Sequence, residues 1–293
     1  MKVLATRRFV GPAWDELQDV EIGSLEHPRD GVEALVVANE RVDEPVLARF
    51  PRLRLVANFG VGYDQIDLVA CERRGVTVTN TPGVLTDATA DLTFALLLAV
   101  RRRLGEGERI VRRGEWTWTW SRGFLADEVA GSRLGIVGLG RIGAAVARRA
   151  EGFGMRIAST NSASTPDELD ELVRASDVVT LHVPLTDKTH ALLDARRLAL
   201  LRDGASLINT ARGEIVDQDA LVRELVSGRI SAGLDVFVGE PNVPQELRSL
   251  DNVVLTPHIG SATMKAREAM TRLAVDNILA LERGEPLLTP VSP

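Results

Sequence analysis

Cysteine is nearly absent: Cys71 is the single one in 293 residues. One cysteine forms neither an internal disulfide nor a cysteine-based zinc site. A secreted, disulfide-stapled scaffold is excluded, and a reducing, cytoplasmic setting is the expectation. Long apolar runs are also missing. The longest candidate, Phe94 to Val100, stops at Arg101-Arg102-Arg103, well short of the ~20 residues that cross a bilayer. The opening Met1-Lys2-Val3-Leu4-Ala5 meets polar Thr6-Arg7-Arg8 and reads as a first strand, not a signal peptide. Excess positive charge is lacking too. The formal net charge of −6 does not favour a nucleic-acid partner. Lysine is confined to Lys2, Lys188 and Lys265, a bias too broad to be functional, so an arginine becomes informative when it falls inside a motif. Histidine is scarce as well. His27, His182, His190 and His258 are the main candidates for proton transfer near neutral pH.

What the sequence has is alternation. Short apolar runs predict strands at Lys2–Ala5, Ala34–Ala38, Leu53–Asn58 and Val76–Thr79, with helix-like segments such as Gln65–Arg74 between them. A second series follows: Arg133–Val137, Arg156–Ser159, Asp177–His182, Ala205–Asn209, Ser231–Leu234 and Asn252–Leu255. Strand–helix alternation predicts parallel sheets covered by helices, and six strands in the second series fit a dinucleotide-binding domain. The length suggests two domains. Between the series, one long helix is expected from about Asp87 to Glu115, apolar at Leu92, Ala95, Leu96 and Ala99. The last stretch, Ala262–Gly284, also has helical spacing. It is either a return crossing to the first domain or a surface helix of the second.

Residues Gly138-Leu139-Gly140-Arg141-Ile142-Gly143 form Gly-x-Gly-x-x-Gly between a predicted strand and a predicted helix, Ile142–Gly152. That context gives the motif its meaning. Gly138 permits the tight turn, Gly140 lets backbone approach a pyrophosphate, and Gly143 lets helix and strand pack closely. The helix N-terminus then offers free N–H groups to the phosphates, with Arg141 beside them. In an NAD-binding unit the second strand ends in an acidic residue that holds the ribose 2′-hydroxyl. Here Arg156-Ile157-Ala158-Ser159 runs into Thr160-Asn161-Ser162-Ala163-Ser164, and no Asp or Glu lies between Gly152 and Pro166. Asn161 and Ser162 do not repel a 2′-phosphate as a carboxylate would. NADP(H) is therefore favoured and NAD(H) remains possible, since no arginine follows Asn161 to clamp that phosphate.

Three later segments place polar groups at the ends of predicted strands: Asn209-Thr210-Ala211-Arg212-Gly213, Asp235–Pro241 and Thr256-Pro257-His258-Ile259-Gly260. In open α/β sheets, ligands bind at such ends. An arginine grips a carboxylate and polarises a carbonyl. A histidine hands over a proton, and a carboxylate beside it fixes the ring and favours its charged form. With a nicotinamide alongside, this set suits carbonyl reduction by hydride and proton. No metal is called for.

These strings, with Ser176–Thr186 and Pro257-His258-Ile259-Gly260-Ser261, resemble the D-isomer-specific 2-hydroxyacid dehydrogenases along nearly the whole chain. The resemblance implies Arg212 as substrate anchor, His258 as acid/base and Glu240 as its partner, 18 residues earlier. It implies that Asp235 meets the nicotinamide amide and that Val183, Pro184, Thr210 and Ser261 line the cofactor. It also implies that Asn58-Phe59-Gly60-Val61-Gly62-Tyr63-Asp64 holds the substrate carboxylate through the backbone of Val61 and Gly62, since bare backbone can form an anion nest. Without the resemblance that segment reads as an ordinary turn. The implied architecture is two Rossmann-like, doubly wound parallel-sheet domains. The substrate domain comprises residues 1–92 and 264–293, and the dinucleotide-binding domain, 93–263, is inserted into it.

Within the family, Thr81–Leu92 and Gly239-Glu240-Pro241-Asn242-Val243-Pro244 resemble the glyoxylate and hydroxypyruvate reductase branch, which commonly prefers NADPH. Phosphoglycerate dehydrogenase fits less well, with no regulatory segment after Pro293, and formate dehydrogenase carries glutamine where Glu240 stands. Two departures from the family pattern are a short segment after Asn161 and one residue fewer near Arg229–Gly233. The first weakens the cofactor-preference reading; a loop can absorb the second. Trp116, Trp118 and Trp120 alternate in a segment that, by resemblance, reaches the active site of the partner subunit in a homodimer; interface packing alone is the alternative. His182 is expected to pack near the cofactor without titrating, His190 and His27 to lie in loops, and Cys71 to be inert. The expected reaction is NAD(P)H-dependent reduction of a small 2-keto acid to the D-2-hydroxy acid. The alternatives are an NAD-dependent dehydrogenase for another D-2-hydroxy acid and a non-catalytic cofactor-sensing regulator.

Overall fold

The computed structural model describes residues 1–117 and 124–292. Among these residues twelve strands run in chain order. They are β1 (Lys2–Ala5), β2 (Asp19–Ile22), β3 (Ala34–Val37), β4 (Leu55–Asn58), β5 (Thr77–Thr79), β6 (Arg133–Val137), β7 (Arg156–Thr160), β8 (Val178–Leu181), β9 (Ser206–Asn209), β10 (Ser231–Leu234), β11 (Val253–Leu255) and β12 (Pro290–Val291). They form two six-stranded sheets, ordered β12-β5-β4-β3-β1-β2 and β11-β10-β9-β8-β6-β7. Every pairing is parallel except β5 with β12. Strands β3, β4, β8 and β9 are buried along their whole length, as expected of parallel strands covered on both faces. Both orders reverse once, between β1 and β3 and between β6 and β8, and such switch points open a crevice beyond the strand ends.

The chain divides into two compact units. One comprises Met1–Leu85 and Ser261–Pro293, the other Thr86–Gly260. The first is built on a core that includes Leu4, Leu35, Leu47, Phe50 and Val56. Its final helix, Met264–Arg283, is capped by the Thr263 hydroxyl and ended by Gly284 at φ 71°, where a residue without Cβ takes the left-handed conformation freely. The second unit has apolar clusters on both sheet faces, one around Leu181, Leu193 and Leu207, the other around Phe94, Leu97, Leu134 and Ile136.

The structure corrects the sequence reading in several places. The long helix expected over 87–115 is two, Thr86–Arg101 and Leu104–Arg112, broken where Arg103 turns left-handed at φ 50°. There the Arg103 guanidinium grips both Glu106 oxygens at 2.7 Å, while Arg101 is drawn to the Gly204 carbonyl (3.1 Å) and to Asp127. The helix expected from Gln65 begins at Leu68, because the Asp67 carboxylate accepts the Ala70 N–H and caps it. Strands β2 and β12 were not expected: β2 is an edge strand without a buried residue, and β12 is two residues long. Of the three alternating tryptophans, Trp116 is exposed; Trp118 and Trp120 lie outside the described residues.

Candidate active site

The glycine motif sits at the switch point of the second sheet. After β6, Gly138 has φ 99°, and a Cβ there would come within 2.8 Å of the His182 carbonyl and of the Val183 side chain, which follow β8. At Gly143 a Cβ would lie 2.2 Å from the Gly138 oxygen, so the helix Arg141–Gly152 can approach its strand because nothing projects there. Gly140 differs: a Cβ would meet nothing within 4 Å. Gly140 also offers no side-chain cap to the helix it precedes, so the first-turn N–H groups have no side-chain cap and face space a phosphate could occupy. These residues fit a dinucleotide. Arg141 and Pro184 are exposed, and Ile142 and Val183 are partly buried. Beyond β7, the Asn161 Oδ1 accepts the Ala163 N–H at 2.8 Å, and Ser164 accepts the Asn161 N–H. Asn161 and Ser162 are exposed. Among the described residues nothing accepts from the Asn161 side-chain NH2.

At the ends of β9, β10 and β11 the polar groups are tied to one another. Asn209, buried, accepts the Ala211 N–H (3.0 Å) and donates to the Arg212 carbonyl (2.8 Å), which shapes the turn that presents Arg212. The Thr210 hydroxyl lies 2.9 Å from that of Thr93. Gly213 lets the β9 loop touch the β10 loop, since a Cβ there would fall 2.2 Å from the Phe237 carbonyl carbon. Glu240 accepts the Phe237 N–H through Oε1 (3.0 Å) and faces His258 Nδ1 through Oε2 at 2.7 Å. Burial alone would raise the Glu240 pKa. The hydrogen bond and charge of His258, the Phe237 N–H and the charge of Arg212 outweigh it and hold the carboxyl below the usual carboxylate range. Facing a carboxylate, Nδ1 must carry its hydrogen. Nε2 has no partner among the described residues and is the nitrogen left to exchange a proton.

His258 stands in a strained turn with φ 53°, a conformation that costs a non-glycine residue about 1 kcal/mol or more. Asp235 holds it there. Fully buried, its carboxylate accepts the Thr256 hydroxyl (2.6 Å) and the N–H groups of Ile259 and Gly260 (2.8 Å each), while its carbonyl accepts the His258 N–H (2.9 Å). Burial raises the Asp235 pKa, and these hydrogen bonds offset part of the rise. Desolvation drives the His182 imidazole down to about 3, with Nε2 2.9 Å from the Thr180 hydroxyl, so that ring is neutral at working pH. No group of three His, Cys, Asp or Glu residues suited to a metal occurs among the described residues.

In the first unit, the segment after β4 is an anion nest in outline. Asn58 donates to the Gly60 and Gly62 carbonyls (3.1 and 2.8 Å). Asn80 donates to the Val61 carbonyl (2.9 Å), and the Thr81 N–H to that of Gly60 (2.9 Å). The carbonyls are tied inward, and the Val61 and Gly62 N–H groups have no acceptor among the described residues, which is what a carboxylate site requires. Sequence reasoning assigned nothing to Asn80 or Gly213; neither lies at a spacing that marks it. Ser261 is partly buried and falls in the first unit.

A family model described as "D-isomer specific 2-hydroxyacid dehydrogenase, NAD binding domain" matches residues 94–260. The chain belongs to the D-isomer-specific 2-hydroxyacid dehydrogenases. The dehydrogenase is 51% identical to a glyoxylate reductase of Pyrococcus horikoshii, across 94% of its own length and 88% of that protein's. An NADPH-dependent glyoxylate/hydroxypyruvate reductase of Sinorhizobium meliloti, solved with NADP and malonate, matches it with a TM-score of 0.89 at 36% identity, covering 99% of this chain and 96% of that one. A D-lactate dehydrogenase of Aquifex aeolicus, solved with NAD and lactic acid, matches with a TM-score of 0.86 at 31% identity, covering 97% and 96%. The dehydrogenase is thus an oxidoreductase with a nicotinamide-dinucleotide-binding unit. No helix among its described residues is long and apolar enough to cross a membrane.

Proposed function

We propose that the enzyme reduces glyoxylate and hydroxypyruvate to the corresponding 2-hydroxy acids as a cytoplasmic homodimer, with NADP(H) the better cofactor. The observation that carries the reaction is the 2.7 Å His258–Glu240 pair, presented beside Arg212 at the ends of parallel strands in a dinucleotide-binding fold. The reduced nicotinamide supplies a hydride to the carbonyl carbon. The chain's residues do the rest. Arg212 grips the carboxylate and polarises the carbonyl. Glu240 holds Nδ1 of His258, and Nε2 delivers the proton to the carbonyl oxygen as it becomes a hydroxyl. In the first unit the Val61 and Gly62 N–H groups bind a carboxylate. The first unit, Met1–Leu85 and Ser261–Pro293, acts as the substrate domain and the second, Thr86–Gly260, as the cofactor domain; the 92/93 cut expected from the sequence falls inside the helix Thr86–Arg101. In the second unit Gly138, Gly140, Arg141, Ile142 and Gly143 cradle the pyrophosphate, while Val183, Pro184, Thr210, Asp235 and His258 line the nicotinamide side.

NADP(H) preference is supported by the absence of Asp and Glu between Gly152 and Pro166 and by the Asn161 amide NH2, which has no acceptor among the described residues. The identity to glyoxylate reductases supports the substrate. The test is cofactor oxidation by the purified protein with each keto acid and each cofactor. Turnover of neither keto acid by folded protein refutes the substrate reading, and a lower Michaelis constant for NADH than NADPH refutes the preference. His258→Gln should lower kcat by about 10³-fold with cofactor affinity retained. Undiminished turnover would displace His258 as proton donor. Size-exclusion chromatography with light scattering tests the dimer.

A further inference from the structure

In the first unit, the crevice at the β1/β3 switch point is lined by cations that the reaction as described does not use. Arg7 follows β1 and pairs with Glu40, which follows β3 and also accepts the Ala38 N–H at 2.7 Å. Arg267 reaches the same sheet edge from the helix Met264–Arg283. Its guanidinium lies over the Phe59 ring, 5.6 Å from the centroid. Phe59 belongs to the carboxylate segment and is itself backed by Phe9 at 4.3 Å. The ring stack therefore fixes where the guanidinium sits.

Apart from the attraction of the Phe59 ring face, the surroundings of Arg267 disfavour its charge. It is half-buried, and burial together with the nearby Arg7 charge holds its pKa below the usual arginine range. It stands in the first turn of a 20-residue helix, where the backbone dipole disfavours a cation. No carboxylate or carbonyl among the described residues accepts from its guanidinium. The adjacent Glu268 packs against Gly11, within 3.2 Å of where a Cβ there would lie. A cation desolvated, repelled and unpaired in a ligand crevice is costly unless an anion relieves it.

We propose that Arg267, stacked on Phe59 and neighboured by Arg7, is a second anion subsite, which takes a distal carboxylate of a dicarboxylic acid whose first carboxylate sits on Val61 and Gly62. This rests on the reading of that segment as a carboxylate site. The enzyme then binds dicarboxylates in competition with its small keto acid, and 2-keto dicarboxylic acids are a further substrate class. The test is competitive inhibition of keto-acid reduction by length-matched pairs, malonate against propionate and succinate against butyrate. At least one dicarboxylate should inhibit about tenfold more tightly than its monocarboxylate partner. Arg267→Gln should collapse that ratio to near one, and Arg267→Lys should preserve part of it. Equal inhibition within both pairs in the unmodified enzyme, or a ratio that survives Arg267→Gln, overturns the subsite. If the monocarboxylates fail to compete at all, the carboxylate segment itself has been misread and both proposals fall.

Discussion

Replacing Asp235 tests whether the acid/base turn is held by a buried carboxylate. Asp235→Ala removes three hydrogen bonds, from Thr256, Ile259 and Gly260. Each bond to a charged acceptor contributes about 1.5–3 kcal/mol. Against that loss, the carboxylate's own desolvation is recovered, several kcal/mol for a buried ion. The Thr256 hydroxyl can turn to another acceptor. The Gly260 N–H, buried, cannot, and an unsatisfied buried donor costs about 1–3 kcal/mol. With the less buried Ile259 N–H included, the net loss is about 3 kcal/mol. Asp235→Asn keeps one acceptor oxygen but can set an NH2 against the Gly260 N–H, for about 1–3 kcal/mol. Freed from its clamp, His258 should leave the left-handed turn, and kcat should fall by about 10²-fold, the scale of a 1 Å misplacement. Denaturation midpoints give the stability change, and native-state exchange of the Ile259 and Gly260 amides reports the clamp directly. Asp235→Ala within about 0.5 kcal/mol of the parent, with unchanged exchange at both amides, would refute the argument.

Other substitutions separate packing from binding. Gly143→Ala drives a methyl into the Gly138 carbonyl and should cost about 3 kcal/mol or more, read by thermal melting. Gly140→Ala meets open space and should melt normally yet weaken cofactor binding about tenfold or more, read by fluorescence titration. Asp170, held to about 2 by hydrogen bonds from Arg196 and then Arg197 against the opposing cost of burial, should stabilise the fold fully above pH ~4 and lose that contribution between pH ~4 and ~2. Asp170→Asn should cost about 1 kcal/mol at pH 7 and flatten that acid limb. Because the folded Glu240 pKa lies below its ordinary value, the stability contributed by the ionised Glu240 carboxylate should be fully present above pH ~4.5 and lost as the pH falls through the folded pKa. Glu240→Gln should remove that acid sensitivity in a pH-dependent melt and lower kcat.

Much of the site was legible because its chemistry depends on residue types at strand ends. Short apolar runs between helix-like segments located ten strands. Gly-x-Gly-x-x-Gly has its three glycines within six residues of chain, and Arg212, Glu240 and His258 fall three, six and three residues past the end of a strand. What was not legible depends on partners distant in sequence. Strand β2 has no buried residue to mark it. Beside the break at Arg103, Arg101 reaches the Gly204 carbonyl, about a hundred residues on, a contact that helical periodicity does not encode. Gly213 looks like any loop glycine until the β10 loop is found against it.

By itself the sequence determined the fold class and the dinucleotide motif and singled out His258 among four histidines as the candidate acid/base, because each follows from local pattern and scarce residue types. Tertiary structure alone decided that Nδ1 of His258 is the committed nitrogen, that Asp235 holds a strained turn and that Asn58 and Asn80 aim carbonyls inward. It alone also placed Arg267 over Phe59, more than two hundred residues away in the chain, without a carboxylate partner among the described residues. The physical reason is that burial and hydrogen-bond geometry set the energy of a polar group, and both are properties of packed neighbours brought together by folding.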